Sequence, residues 1–495
     1  MRNRSAAPIH TIEALQGDER RQELPSRKRP SRRSRYNHVF AIHSQARASC
    51  LSSQDAKETP SFVGFRNLMV LMLVVSNLRL MIENFRKYGV LICISCHDYR
   101  RQDVVLGSIL YLSIPCHLFV AYIIELVAAQ QAKGAVARIK RAETKADATG
   151  ETDRKNFHYA WYLIAFAHGI NATMNLVITS TMVYYFINHP GIGTLCELHA
   201  IIVWLKTCSY ALTNRDLRHA LVYPRADEEV PELYKSCPYP QNITLNNLCY
   251  FWWAPTLVYQ PVYPRTSHIR WVFVGKRLAE AAGLGIVIWI ASAQYAVPLL
   301  NNSMDHIAAL DLVSIAERIM KLSTISLFCW LAGFFAFFQS WLNALAEVMR
   351  FADREFYSDW WNVWSIRTYW TSWNKPVYHF MKRHVYSPLV GRGVPPSIAQ
   401  ILVFIFSGVL HELLVGVPTH NLIWVAFAGM MGQIPLIALT DIIGRGKSYM
   451  AKVVGNLIFW ISFCLVGQPL AALLYFFAWQ AKYGSGSKQF SARSR

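Results

Sequence analysis

The chain repeatedly offers apolar runs of about 20 residues, the length of helix that crosses a bilayer core. Nine stand out by run length: 62–82, 104–128, 159–187, 191–212, 272–300, 319–346, 398–417, 422–439 and 453–479. Nine are too many for a single anchor, so the expected fold is an all-α polytopic membrane protein. The 53% hydrophobic content of the 495 residues agrees with that. The first 60 residues hold no apolar segment, so no cleavable signal peptide is expected and the first span should act as the targeting signal. Three parts follow: a disordered basic tail over 1–61, a membrane domain over 62–479, and a short polar tail over 480–495.

The net charge is +20. Part of the excess is the cluster Arg27-Lys28-Arg29, Arg32, Arg33 and Arg35. A basic cluster can serve nucleic acid, but no nucleic-acid-binding fold or aromatic platform follows it. A cytosolic tail near anionic lipid fits better, with no nucleic-acid partner. With a cytosolic N-terminus, the cytosolic segments carry about 35 Lys and Arg against about 9 on the other side. Nine spans then put the C-terminus in the lumen, although Lys482, Lys488, Arg493 and Arg495 pull the other way.

Ten cysteines are scattered and form no disulfide framework. Cys93-Ile-Ser-Cys96-His97 fits the c-type haem attachment pattern, yet it sits between two spans with no haem domain around it. Structural cysteines are expected, with no metal and no cofactor.

Two loops, 213–271 and 347–397, are long and aromatic, which marks them as functional rather than connecting. The second carries Phe356-Tyr357-Ser358-Asp359-Trp360-Trp361-Asn362, then Trp364, Trp370 and Trp373, a density that suits a bilayer interface. Val377, Phe380, Met381 and His384 recur there at helical spacing, as in an amphipathic helix.

Inside the run 398–417 stands His411-Glu412. Ionisable groups are costly at membrane depth, so such a pair is a candidate functional site; a histidine satisfied by a neighbouring helix is the competing reading. Arg79 with Glu83, Glu125, His168, His199 and Lys206 also fall in spans and read as helix-to-helix glue.

These motifs resemble the sterol/diacylglycerol branch of the membrane-bound O-acyltransferases, over roughly residues 62 to 479. The resemblance rests on Ser76-Asn77-Leu78-Arg79 with Glu83-Asn84 and Lys87-Tyr88-Gly89, and on Phe251-Trp252-Trp253-Ala254-Pro255 through Tyr259. It continues through Phe356–Asn362, Trp373-Asn374-Lys375-Pro376-Val377, His411-Glu412, Met430–Leu436 and Gly467-Gln468-Pro469. Val417-Pro418 and the last two motifs look like the diacylglycerol enzymes. Pro264-Arg265-Thr266 through Ile269-Arg270-Trp271 leans towards the sterol enzymes. One departure is Tyr475-Phe476-Phe477, where the family usually has a His-Asp pair.

The resemblance implies acyl-CoA-dependent esterification of diacylglycerol in the endoplasmic reticulum membrane, by a homodimer or homotetramer. Acyl-CoA is a co-substrate. An alcohol must lose its proton as it attacks a thioester, and a neutral histidine suits that task; His411 is the implied base. Asn374 is the second implied catalytic residue, although local signals alone favour it as the N-cap of a helix entering at Pro376. Glu412, Gln433, Gln468, Trp373, Tyr378, Lys382 and Arg383 are expected to meet substrate. The glutamines suit an acceptor's hydroxyl or ester groups, or a neighbouring helix. Lys375, Lys382, Arg383 and His384 suit phosphates, or a solvated face. Steryl ester formation is the alternative enzyme reading, and a lipid transporter or scramblase the non-enzymatic one. His306-x4-Asp311 matches the pattern of glycerol-phosphate acyltransferases, but in a predicted luminal loop.

Overall fold

A computed structural model describes residues 41, 43–45, 61–85, 100–145, 150–224, 231–292, 296, 299–300, 311–445, 448–467 and 469–480. The haem-like Cys93–His97, His306, Asn301 and Gln468 lie outside them. So does most of the N-terminal tail. Every regular element among the described residues is helical. The helices are α1 (Val63–Phe85), α2 (Arg101–Ser113), α3 (Cys116–Lys145), α4 (Gly150–Phe186), α5 (Pro190–Val222), α6 (Leu245–Trp253), α7 (Trp271–Ala291) and α8 (Leu312–Phe334). A π-helical stretch, Phe335–Trp341, leads into α9 (Leu342–Val348). Then come α10 (Ile366–Ser372), α11 (Lys375–Phe380), α12 (Ser387–Gly391), α13 (Pro396–Gly416), α14 (Val425–Met431), α15 (Gln433–Gly444) and α16 (Tyr449–Ile461). Residues 469–480 form a last helix, α17.

Seven helical stretches among the described residues are long and apolar enough to cross a membrane: Arg101–Ile139, Tyr159–Phe186, Pro190–Val222, Leu312–Val348, Pro396–Gly416, Val425–Gly444 and Tyr449–Gln480. The other two expected spans are helices as well. The apolar part of α1 is Val63–Ser76, and α7 carries Lys276, Arg277 and Glu280 in its first half. Several helices outrun their apolar stretch. Helix α5 continues to Val222 rather than ending near 212, because its last turns are buried by the first long loop instead of lipid. Asp311 is an N-cap: its carboxylate accepts from Ser314 N at 3.2 Å. That gives it a local task unrelated to a His-x4-Asp site.

The buried ionisable groups do bind helices together. Lys206 on α5 donates to the carbonyls of Phe251, Trp252 and Ala254 at 2.8–2.9 Å. It thereby satisfies the orphan acceptors at the end of α6. Glu125 on α3 pairs with Arg218, with His168 at 3.3 Å and with Tyr239 Oη at 2.9 Å. A carboxylate this buried is tolerable only with such partners.

The two long loops are joined to each other. Arg265 and Phe351 form an antiparallel bridge, and Glu347 holds both Arg270 and Arg354. The aromatic motif expected at the bilayer interface is core instead. Trp360 and Trp361 are fully buried, packed with Trp330, Phe334, Phe459 and Trp460. Helices return across them, so the rings fill a protein interior rather than face lipid headgroups. Asn362 accepts from the Gly64 N–H and donates to the Ser61 carbonyl, which fixes the start of α1. A Cβ on Gly64 would lie 1.5 Å from the Trp361 carbonyl oxygen, so only glycine lets the two backbones approach.

The tail also departs from a wholly disordered segment. His43 is buried, its N–H donating to Gln260 Oε1 at 2.7 Å, with Nδ1 against Asp353 and Nε2 against Thr256 at 2.8 Å. Three polar contacts and the rings of Tyr263 and Phe351 give one residue enough anchorage to be ordered.

Candidate active site

Helix α13 starts at Pro396, whose missing N–H is no loss in a first turn. Its apolar length then carries His411 to membrane depth. The imidazole is half-buried, with Nδ1 at 2.8 Å from the Ser407 carbonyl oxygen one turn back. A carbonyl oxygen only accepts, so Nδ1 carries the hydrogen and Nε2 keeps its lone pair. The helix backbone therefore selects the tautomer of the expected base.

Glu412 points elsewhere, as a neighbour about 100° around the helix must. It is 2% exposed. Oε1 accepts from Trp424 N at 2.8 Å, and Oε2 accepts from Phe427 N at 3.3 Å and Tyr475 Oη at 2.7 Å. Glu412 was expected to meet substrate. Its oxygens are taken up by these protein donors.

Asn374 is the N-cap of α11, its Oδ1 accepting from Val377 N at 3.2 Å. The cap leaves the Nδ2 amide with no acceptor among the described residues. The two readings of Asn374 are thus compatible, with the oxygen facing the helix and the amide free to donate. The aromatic motif sets this cap. Phe356 O accepts from Lys375 N at 3.0 Å and Ser358 N donates to Ser372 O at 2.9 Å, while Tyr357 Oη donates to Gln339 at 2.6 Å. Asp359 is exposed and closes the turn through its carbonyl, which accepts from Asn362 N.

The π-helical continuation of α11, Met381–Tyr386, packs against α13. Val377, Phe380 and Met381 share an apolar cluster with Leu410 and Leu414, the residues that bracket His411. The other expected residues divide. Trp373 is part of the aromatic core, stacked on Tyr369 with centroids 5.9 Å apart. Tyr378 is half-buried, with Lys382 Nζ 5.7 Å from its ring centre. Lys382 is exposed, whereas Arg383 is 4% exposed and turned inward. Arg383 lies beside Tyr234, whose phenol is pushed up by burial while the guanidinium pulls it back. Successive residues of a helix face different ways, and Arg383 faces the first long loop, its three guanidinium nitrogens buried with no hydrogen-bond partner among the described residues. Gln433 Nε2 donates to Gly429 O of the preceding turn at 3.3 Å, which leaves its second N–H and its oxygen uncommitted.

The chain matches the family model described as MBOAT, membrane-bound O-acyltransferase family, over residues 228–477. That match spans most of the first long loop, all of the second, the aromatic motif and His411. It is also 34% identical over 456 residues to Diacylglycerol O-acyltransferase 1A of Glycine max, covering 89% of this chain and 82% of that protein. With Diacylglycerol O-acyltransferase 1 of Arabidopsis thaliana it shares 35% over 457 residues, 91% and 80% of the two chains. With Diacylglycerol O-acyltransferase 1-1 of Oryza sativa subsp. japonica it shares 37% over 440 residues, 88% and 75%.

The chain belongs to the membrane-bound O-acyltransferase family.

In this acyltransferase the sequence reading missed one polar participant near the site. Tyr475 Oη touches Glu412 and accepts from Ala426 N at 3.0 Å. In the sequence it stands, seven residues past Gln468, at the start of the stretch that departs from the family's His-Asp pair, and nothing there points to Glu412 as its partner.

Proposed function

We propose that this acyltransferase moves the acyl group of acyl-CoA onto the free hydroxyl of diacylglycerol, giving triacylglycerol and coenzyme A. The observation that carries the reading is the Nδ1–Ser407 carbonyl contact of His411, which leaves Nε2 as a proton acceptor. Nε2 takes the hydroxyl proton as the acceptor oxygen attacks the thioester carbonyl. The Asn374 amide is suited to donate to the carbonyl oxygen as negative charge grows there. Collapse of the tetrahedral species expels the thiolate of coenzyme A, to which the imidazolium returns the proton. No cofactor enters this chemistry.

The names of the similar proteins support diacylglycerol as the acceptor. A setting in the endoplasmic reticulum, a cytosolic N-terminus, a luminal C-terminus and a homodimer or homotetramer belong to the same reading. The test offers purified protein acyl-CoA with diacylglycerol, cholesterol and a fatty alcohol in competition. Triacylglycerol should dominate. Faster steryl ester formation at matched membrane fractions would overturn the acceptor assignment.

A further inference from the structure

Helix α14 is too short to hold its own place. It begins at Trp424, a bulky residue with φ of +59°, a backbone state that costs a non-glycine residue energy unless its surroundings enforce it. The enforcement comes from two side chains on other helices. The Glu412 carboxylate receives the N–H groups of Trp424 and Phe427. Tyr475 Oη receives that of Ala426 and donates its own hydrogen to Glu412. Three first-turn donors that a helix cannot satisfy internally are thus collected by one buried carboxylate–phenol pair. The opposite side of α14 is set by close approach. A Cβ on Gly408 would lie 2.9 Å from the Phe427 ring and 3.3 Å from the Met431 methyl. The start of α14 is therefore wedged between the backbone of the His411 helix and a phenol from α17. Its far end runs through Met431 and Gly432 into Gln433.

We infer that Tyr475 is a positioning residue for acyl transfer. It acts through Glu412 to hold α14, and with α14 Gln433, the residue that the family resemblance places at the acceptor, in register with His411. The inference rests on the acyl-transfer reading above. It concerns the acceptor side, because α14 leads into Gln433 and none of these contacts involves Lys375 or Lys382.

The experiment uses full-length protein in nanodiscs, comparing wild type with Tyr475→Phe, Glu412→Gln and the double variant. Initial rates are measured against each substrate separately, together with acyl-CoA binding at equilibrium. Tyr475→Phe should raise KM for diacylglycerol about tenfold, the scale of one lost charge-assisted hydrogen bond, with KM and Kd for acyl-CoA unchanged. The double variant should be little worse than Glu412→Gln alone, since both remove one unit. Retained acyl-CoA binding shows that the variant is folded. An unchanged diacylglycerol KM, an equal rise in both KM values, or additive losses would each overturn the inference. If wild type itself makes no triacylglycerol, the functional reading has failed instead.

Discussion

Nδ1 of His411 is bonded to the backbone carbonyl of Ser407, 2.8 Å away on the preceding turn. Because the partner is main chain, no side-chain change at 407 can release it, and the tautomer is built into the helix. His411→Ala should therefore lower turnover by about a hundredfold to ten-thousandfold, the range for loss of a general base, while acyl-CoA still binds. His411→Gln should fare no better, since an amide cannot take a proton. Activity of either variant within about tenfold of wild type would remove His411 from the base role.

Asn374 separates into two functions that one substitution can pull apart. Asn374→Asp keeps an oxygen for Val377 N but loses the amide donor. Its Tm should match wild type, with turnover about a hundredfold lower, as for loss of one oxyanion donor. Asn374→Ala should lose both, with a stability cost of about 1 kcal/mol for the cap. Full activity in Asn374→Asp would leave the residue as a cap alone.

The aromatic motif is predicted to matter for assembly of the bundle. Gly64→Ala places a Cβ against the Trp361 carbonyl, backbone on backbone, so α1 must move. Asn362→Ala strands the buried Gly64 N–H, at about 1–3 kcal/mol, while the Ser61 carbonyl keeps the Trp361 Nε1 donor. Both should lower Tm in detergent. Gly169→Ala is the control, because a Cβ there meets nothing within 4 Å.

Run length was enough to place the helices, since a bilayer dictates how many apolar residues a helix needs. Their ends were less legible, because Val222 and Ile139 are covered by protein and need no apolar signal. His411 and Asn374 stood out through residue type and motif spacing. The partners of Glu412 were not legible, because sequence shows that a carboxylate is buried but not which backbone donors reach it. Trp360 and Trp361 were misplaced for a related reason: the same rings suit a membrane interface or a core, and only the return of α16 decides. His43 had no sequence signal at all, its partners being more than 200 residues away.

The bridge between Arg265 and Phe351 requires the two long loops to lie on one side of the membrane. Charge counting puts that side in the cytosol. A tag inserted near residue 230 should then be digested by protease added to sealed microsomes, and a tag near Asn301 should be protected. Protection at 230 would invert the topology. Absence of a glycan in the Asn301-Asn302-Ser303 sequon would decide nothing, as the site is close to a span.

Lys382 and Arg383 are adjacent in sequence and opposite in environment. The ammonium of Lys382 is exposed beside Tyr378, and an exposed cation on the α11–α12 run can meet a phosphate of acyl-CoA without reorganisation. Lys382→Ala should raise KM for acyl-CoA about fivefold with kcat kept, and the gap should narrow as salt is raised, because an exposed charge is screened. The guanidinium of Arg383 is enclosed beside Tyr234. Arg383→Met preserves much of its volume, and replacing a buried charge by an apolar group is often neutral or stabilising. Its KM for acyl-CoA should stay at the wild-type value at every salt concentration. A salt-dependent rise in KM for Arg383→Met, matching that of Lys382→Ala, would mean that the phosphates reach inward past Tyr234, and would return Arg383 to the acyl-CoA site.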